Sequence, residues 1–423
     1  MCAYVSSQFL PFKHVQLSDH LAVPSGLILR MERQFLETLW PMFGFARLLG
    51  MFPCKRLRTE DGKIELKPIN WKIHWALFAC FNVLVLGLII ASYAWISFKA
   101  EIPMADVTQC QNKIRGEEST MDIVTSSIFW LVMLIGSFVI QVGNFKMRQE
   151  LCEISSKFDR VSQEEGSLVS PFLTVCGLLV ITIVTSSSHY GWLINTCLNV
   201  NWIDVIPLCV SFGFLLVFGC TPIFVFFAFA LECFSALSYE STNLKHRIEQ
   251  CKQDHHALQD CFSKMITLME KVRSLLSRNI FWVLVILSVY NLLWLYLVPV
   301  SFIYYSESKE LIILLFAAIS SLFVICFFAI IWLFNIRAQK VTDQVHQLKN
   351  CLREIFISAN FMVTFEGQIV PASFMKDRIM DKMNSFNGFD GKGYFVLGKS
   401  FLTNLLTLLA TYFVILLQFK MSE

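Results

Sequence analysis

Charge is scarce in this chain. Only 16% of its 423 residues are Asp, Glu, Lys or Arg, against about 25% in soluble domains. The deficit is sharpest inside the long apolar runs, where Glu232 and Glu310 stand only at run ends. Proton- and ion-coupled transporters carry ionisable groups near mid-membrane, so the scarcity argues against a membrane transporter. Catalytic signatures are missing too. No HExxH or CxxC spacing offers metal ligands, and no GxxxxGK[ST] or GxGxxG cradles a phosphate. No GxSxG presents a nucleophile. The expectation is no enzyme, no metal, no cofactor and no nucleic acid. His255 and His256, adjacent in sequence, read as solvated or packed. No Asn-x-Ser/Thr sequon is present, so no N-glycan is expected. Met1 to Pro24 has no basic start leading into an apolar run, as a cleavable signal would.

What is abundant is apolar. The hydrophobic fraction is 55%, with 40 phenylalanines, and mean hydropathy is +0.58. A water-soluble core does not absorb that much apolar sequence, so the chain reads as an all-α membrane protein. Seven runs reach the ~20 residues needed to span: about 73–97, 121–143, 170–190, 203–231, 279–304, 310–335 and 395–419. Gln141 and Asn144 crowd the end of the second; Pro207, Pro222 and Pro299 predict kinks that neighbouring helices accommodate.

Lysine and arginine set the orientation. Ten precede the first run, and three, four, none, seven, one and eight fall in the successive connections. Lys399 and Lys420 flank the last run. Thirty of the 35 basic residues thus lie on one side, which the positive-inside rule makes cytoplasmic. The N-terminus is then inside and the C-terminus outside, opposite to a seven-helix G-protein-coupled receptor. The expected layout is a cytoplasmic N-terminal segment (1–72), transmembrane helices 1–4 (73–235) and a cytoplasmic helical extension (236–278). Transmembrane helices 5–6 (279–335), a cytoplasmic helical anchor segment (336–394), a pore-lining helix (395–419) and an extracellular tail (420–423) follow. The predicted outer side has an acidic excess, including Glu101, Asp106, Glu117 and Glu118, which would concentrate cations.

Two cytoplasmic stretches carry heptad-like seams: Leu244, Ile248, Cys251, His255, Leu258, Phe262, Met265, Leu268, Val272 and Leu275, then Val341, Val345, Leu348, Leu352 and Ile355. Steps of three and four predict helices that extend the spans into a cytoplasmic bundle. The alternative is amphipathic helices lying on the membrane. Of the 14 cysteines, Cys110 and Cys197 fall in predicted outer loops. They form either one disulfide between the loops or two separate thiols.

The last run, Phe395 to Phe419, is not uniformly apolar. Ser400, Asn404, Thr407, Thr411 and Gln418 recur at i, i+4, i+7, i+11 and i+18, one narrow helical stripe at about 100° per residue. Ile415 lies on it too. In lipid such a stripe needs water or polar partners. It either lines an aqueous pore, with Ile415 an apolar constriction and Gln418 a polar ring, or hydrogen-bonds to neighbouring helices.

The ending Thr411-Tyr412-Phe413-Val414-Ile415-Leu416-Leu417-Gln418-Phe419 resembles the TY-(five apolar)-QF signature of insect gustatory receptors. Gly388-Phe389-Asp390-Gly391-Lys392-Gly393-Tyr394-Phe395 resembles that family's approach to its last helix, and Leu49-Gly50-Met51-Phe52-Pro53 its common start. The resemblance implies a tastant-gated, nonselective cation channel of four subunits in the plasma membrane of sensory neurons, on the dendrite. It would pass Na, K and Ca, as a homotetramer or a heteromer with other gustatory receptors. Gln418 and Phe419 would then form the pore constriction, with Thr411 and Tyr412 supporting the helix. Phe413 stands where the sugar-sensing branch often has Glu, so a sugar, a bitter compound or a nutrient all remain open as ligands. Polar and aromatic groups in the outer halves of the spans are candidate ligand contacts: Ser126, Ser127 and Trp130; Ser186, Ser187, Ser188, His189 and Tyr190; Asn291, Trp294 and Tyr296. The alternative is ordinary interhelical hydrogen bonding.

Overall fold

A computed structural model describes residues 35–48, 52–58, 64–100, 120–158, 202–250, 255–308, 311–358, 362–365, 368–371 and 386–422, with isolated positions 177, 180 and 381. All lie in one unit, Arg33–Glu423. Among them are eight helices: α1 Phe35–Leu48, α2 Trp71–Ala100, α3 Thr120–Lys146, α4 Arg148–Phe158, α5 Trp202–Gln250, α6 His255–Ser308, α7 Leu311–Ser358 and α8 Lys399–Ser422. Two antiparallel hairpins join them, β1 Cys54–Arg58 with β2 Ile64–Pro68, and β3 Met362–Phe365 with β4 Gln368–Pro371. The sequence reading anticipated neither hairpin. Among the described residues, five helical stretches are long and apolar enough to cross a membrane: Lys72–Lys99, Gly219–His246, Lys264–Val300, Val324–Cys351 and Lys399–Phe419. The second predicted run lies within α3, and the third, 170–190, lies outside the described residues except for positions 177 and 180.

The apolar runs become helices because their backbone groups need partners inside the segment. Asn70 caps α2, its Oδ1 accepting the Lys72 N–H at 3.1 Å, a standard helix start. α5, α6 and α7 run 49, 54 and 48 residues without a break. At 1.5 Å per residue each is over about 70 Å long, more than twice a hydrocarbon core. The fourth, fifth and sixth predicted runs therefore sit in unbroken helices longer than a bilayer core is thick. Of the seam residues whose side chains are described, Leu244, Met265, Val272 and Leu275, and Val341, Val345 and Leu348 are buried, and Leu268 is half-buried. Two elements differ from the expected 336–394 and 395–419 segments. Among its described residues, the first is helical to Ser358 and then includes the β3–β4 hairpin and a turn. The last helix begins at Lys399, because Phe395 to Gly398 are held in that turn.

The core lies along α5. Every residue from Cys220 to Ala230 is buried, and all but Thr221 are apolar, the pattern of a helix enclosed on every side. α2 is peripheral and exposes Val83, Leu84, Leu86, Ile90 and Phe98, the composition of a lipid-facing surface. Its inner face meets α5 through Ser92 and Ser211, whose hydroxyls lie 2.7 Å apart. α3 packs on α6 through two glycines seven residues apart. A Cβ on Gly136 would lie 2.3 Å from Ile286 Cδ1, and one on Gly143 2.4 Å from Asn279 Oδ1.

Ion pairs join residues that the charge count puts on the same side. Lys99 and Asp204, at 4.0 Å, both belong to the predicted outer side. Lys271 with Glu153, and Arg273 with Asp390, belong to the inner one. α2, 30 residues long, separates these two ends by about 45 Å. Phe158 therefore lies at one end of the bundle and Trp202 at the other.

Candidate functional site

The site begins in the turn before α8. Gly388, Lys392 and Gly393 adopt positive φ of 111°, 51° and 79°, a conformation glycine takes without steric cost. Asp390 organises the turn. Its Oδ2 accepts the Gly393 N–H at 2.8 Å and its Oδ1 accepts Arg273 Nε of α6 at 2.9 Å. The Lys392 N–H donates to Ser277 Oγ, also on α6, at 3.0 Å. Asn335 of α7 accepts the Gly398 N–H at 3.1 Å, satisfying an amide at the threshold of α8. Phe389 is buried in the core, 4.7 Å centroid to centroid from Phe234. α6 and α7 thus hold the start of α8 by charge and hydrogen bonds, and α5 holds it by an aromatic anchor.

Beyond the turn, α8 packs on one face only. Leu405 and Leu409 are buried, whereas Ser400, Asn404, Thr407, Thr411, Ile415 and Gln418 are all exposed. Thr407 and Thr411 each follow a buried leucine by two residues, about 200° round the helix. The polar stripe therefore faces away from the helices of its own chain. Thr403, Thr407 and Thr411 each donate a hydroxyl hydrogen to the carbonyl four residues back, at 3.1, 3.0 and 2.9 Å. Their donors are used within α8, which leaves oxygen lone pairs outward. A row of acceptors suits water or cations. Thr403 was not in the predicted stripe. Tyr412 and Phe419 are half-exposed at 50% and 56%, beside the stripe rather than on it.

Of the ligand candidates, Asn291, Trp294 and Tyr296 are buried on α6. Neither Oδ1 nor Nδ2 of Asn291 has a hydrogen-bond partner among the described residues, though the side chain is fully enclosed. A buried amide without partners costs about 1–3 kcal/mol, which makes Asn291 the candidate of this set with unmet hydrogen-bonding capacity. Ser126, Ser127 and Trp130 lie on α3, their side chains outside the described residues. Ser186, Ser187, Ser188, His189, Tyr190, Cys110 and Cys197 also lie outside them. The clamp of Arg273, Ser277 and Asn335 on the turn escaped sequence reading. Asp390-Gly391-Lys392-Gly393 was its available signal, since Asp-Gly pairs mark turns.

No protein-family model and no curated protein matches the sequence. Among solved structures, the fold is similar to that of the insect olfactory receptor OR5 from Machilis hrabei, at 14% identity and a TM-score of 0.53, over 90% of this chain and 97% of that one. The same receptor in complex with eugenol matches over the same shares at 14% identity and a TM-score of 0.50. The chain therefore shares the fold of an insect chemoreceptor.

Proposed function

We propose that this chain is a subunit of a ligand-gated, nonselective cation channel, a gustatory receptor opened by a small-molecule tastant. Four copies surround a pore lined by α8. The N-terminus is cytoplasmic and the C-terminus extracellular, and the chain acts in the plasma membrane of a sensory neuron dendrite, alone or with other gustatory receptors. One observation carries the reading: the polar stripe of α8 is exposed on the side opposite its buried leucines. An exposed polar stripe on a membrane-crossing helix needs water or a partner, and symmetric copies around a pore supply both. The fold shared with an insect olfactory receptor whose structure is also known in complex with eugenol supports it, as does the TY-x5-QF ending. Thr411, Ile415, Gln418 and Phe419 form the gate, with Ser400, Asn404 and Thr407 along the ion path.

The test is cysteine substitution along α8 during patch-clamp recording, with sugars and bitter compounds as agonists. Positions 404, 407, 411, 415 and 418 should be blocked by a water-soluble thiol reagent, and 405 and 409 should not. Block at Leu405 or Leu409 with none on the stripe would overturn the reading.

A further inference from the structure

Cys54 opens β1 and Cys152 lies on α4, 98 residues further along the chain. Their sulfurs lie 3.0 Å apart, the Cys152 thiol donating to Cys54 Sγ. Cys54 reaches on to the Arg148 carbonyl at 3.8 Å. Both cysteines are buried, in a core shared with Phe52, Leu66, Leu151 and Ile154. A disulfide holds its sulfurs at about 2.0 Å, so closing the bond brings the two sulfurs about 1 Å closer.

We propose that Cys54 and Cys152 are a dithiol–disulfide couple, a modification site whose co-reactant is a low-molecular-weight disulfide such as glutathione disulfide. One cysteine loses its proton to solvent and attacks a sulfur of the small disulfide, forming a mixed disulfide and releasing one small thiol. The second cysteine, deprotonated in turn, displaces the other small thiol and closes the Cys54–Cys152 bond. The pair gives up two protons and two electrons, and the small disulfide becomes two thiols.

The bond would tie the β1–β2 hairpin to α4, which is itself paired to α6 through Glu153 and Lys271. A two-stranded hairpin is marginal without its packing, so local opening gives the reagent access. The sulfur–sulfur hydrogen bond, then burial, hold the Cys54 thiol well above the usual thiol range. Exchange therefore waits on that opening, and the couple follows sustained rather than momentary oxidation. By the charge count this end faces the cytoplasm, where thiols are kept reduced, so the dithiol is the resting form. Nothing in this step depends on the channel reading.

The test uses the purified full-length chain in detergent, equilibrated in glutathione buffers of graded oxidised-to-reduced ratio. Remaining thiols are alkylated after denaturation and the peptides mapped by mass spectrometry. The expected result is one Cys54–Cys152 cross-linked pair that rises from absent to predominant, with slower tryptic cleavage at Lys55 and Arg56. Excess dithiothreitol should reverse both. Cys54→Ser and Cys152→Ser should each abolish the cross-link and the protection. The proposal is overturned if both thiols stay alkylatable at every ratio. It is equally overturned if either cysteine pairs mainly with glutathione or another cysteine, or if the native disulfide resists dithiothreitol. Mapping the unsubstituted chain decides the matter even if the serine variants misfold.

Discussion

Adding one methyl group at Gly136 should separate α3 from α6. A Cβ there lies 2.3 Å from Ile286 Cδ1, 2.6 Å from Cγ1 and 3.7 Å from Cβ. The first two contacts are impossible without movement, and the third is ordinary packing. Glycines at helix crossings let backbones approach in membranes, and overfilling such a contact costs about 1–3 kcal/mol. A chain of 423 residues has an unfolding entropy near 0.9 kcal/mol/K on the soluble-protein scale, so melting falls by roughly 1 °C per kcal/mol. The expected loss for Gly136→Ala is about 1–3 °C, read from tryptophan emission in detergent. Ile286→Ala leaves only the 3.7 Å contact, so it should absorb the new methyl. The double variant should then melt above the sum of the single effects, with a coupling of about 1 kcal/mol or more. Gly87→Ala is the control: nothing lies within 4 Å of its added Cβ, and alanine is the better helix former. Additive effects of Gly136→Ala and Ile286→Ala, or a loss at Gly87 equal to that at Gly136, would refute the packing argument.

Asp390→Asn and Arg273→Gln should each weaken the turn before α8. Because the Arg273 side chain is 33% exposed, their coupling should be only about 1 kcal/mol, seen as non-additive shifts in the agonist concentration for half-maximal current. Asn291→Leu should keep or raise stability, since it removes two buried amide atoms without partners, while abolishing the ligand response; a melting loss with an unchanged response would assign Asn291 to packing. Ile415→Ser should raise current without agonist by wetting the constriction, and Gln418→Glu should shift reversal potentials toward divalent cations. If half-buried Leu416 changed selectivity and Gln418 did not, the stripe would be on the wrong face.

The helices were legible because the bilayer makes apolar length a direct signal, and the long seams were legible because steps of three and four survive in any packed helix. Both hairpins were missed. Cys54-Lys55-Arg56-Leu57-Arg58 has too few apolar residues to alternate, and its pairing rests on β2 and α4 rather than on its own pattern. The last helix was placed four residues early, since Phe395, Val396 and Leu397 are apolar like a span. They serve the turn instead: Phe395 stacks on Phe401 at 4.5 Å, and Leu397 is buried with its N–H on the Phe389 carbonyl at 2.8 Å. The stripe on α8 was visible as periodicity, but which way it faced was not. Direction depends on Leu405 and Leu409 meeting other helices, information that no local pattern carries. Asn291 was legible only as a polar residue in an apolar run; its lack of partners is a property of its neighbours.

On the proposed function, a ligand near Asn291 must act on α8 at a distance. α6 runs unbroken between Asn291 and Arg273, 18 positions apart in sequence and so about 27 Å along the axis. A continuous helix transmits axial shift and rotation without loss, whereas a broken one would absorb them. At its far end Arg273 and Ser277 grip Asp390 and Lys392, and the turn they grip leads directly into α8. α8 itself has few other holds, since Leu405 and Leu409 are its buried residues past the turn. A helix fixed at its start and lightly packed beyond follows whatever moves its anchor. The ligand needs only to favour one position of α6 over another, by a differential contact of the kind an unpartnered amide supplies. The same reasoning explains the directed hydrogen bonds of the turn, which must keep it stiff for displacement at Arg273 to reach Thr411, Ile415 and Gln418; Gly388 and Gly393 serve the positive φ that the turn requires.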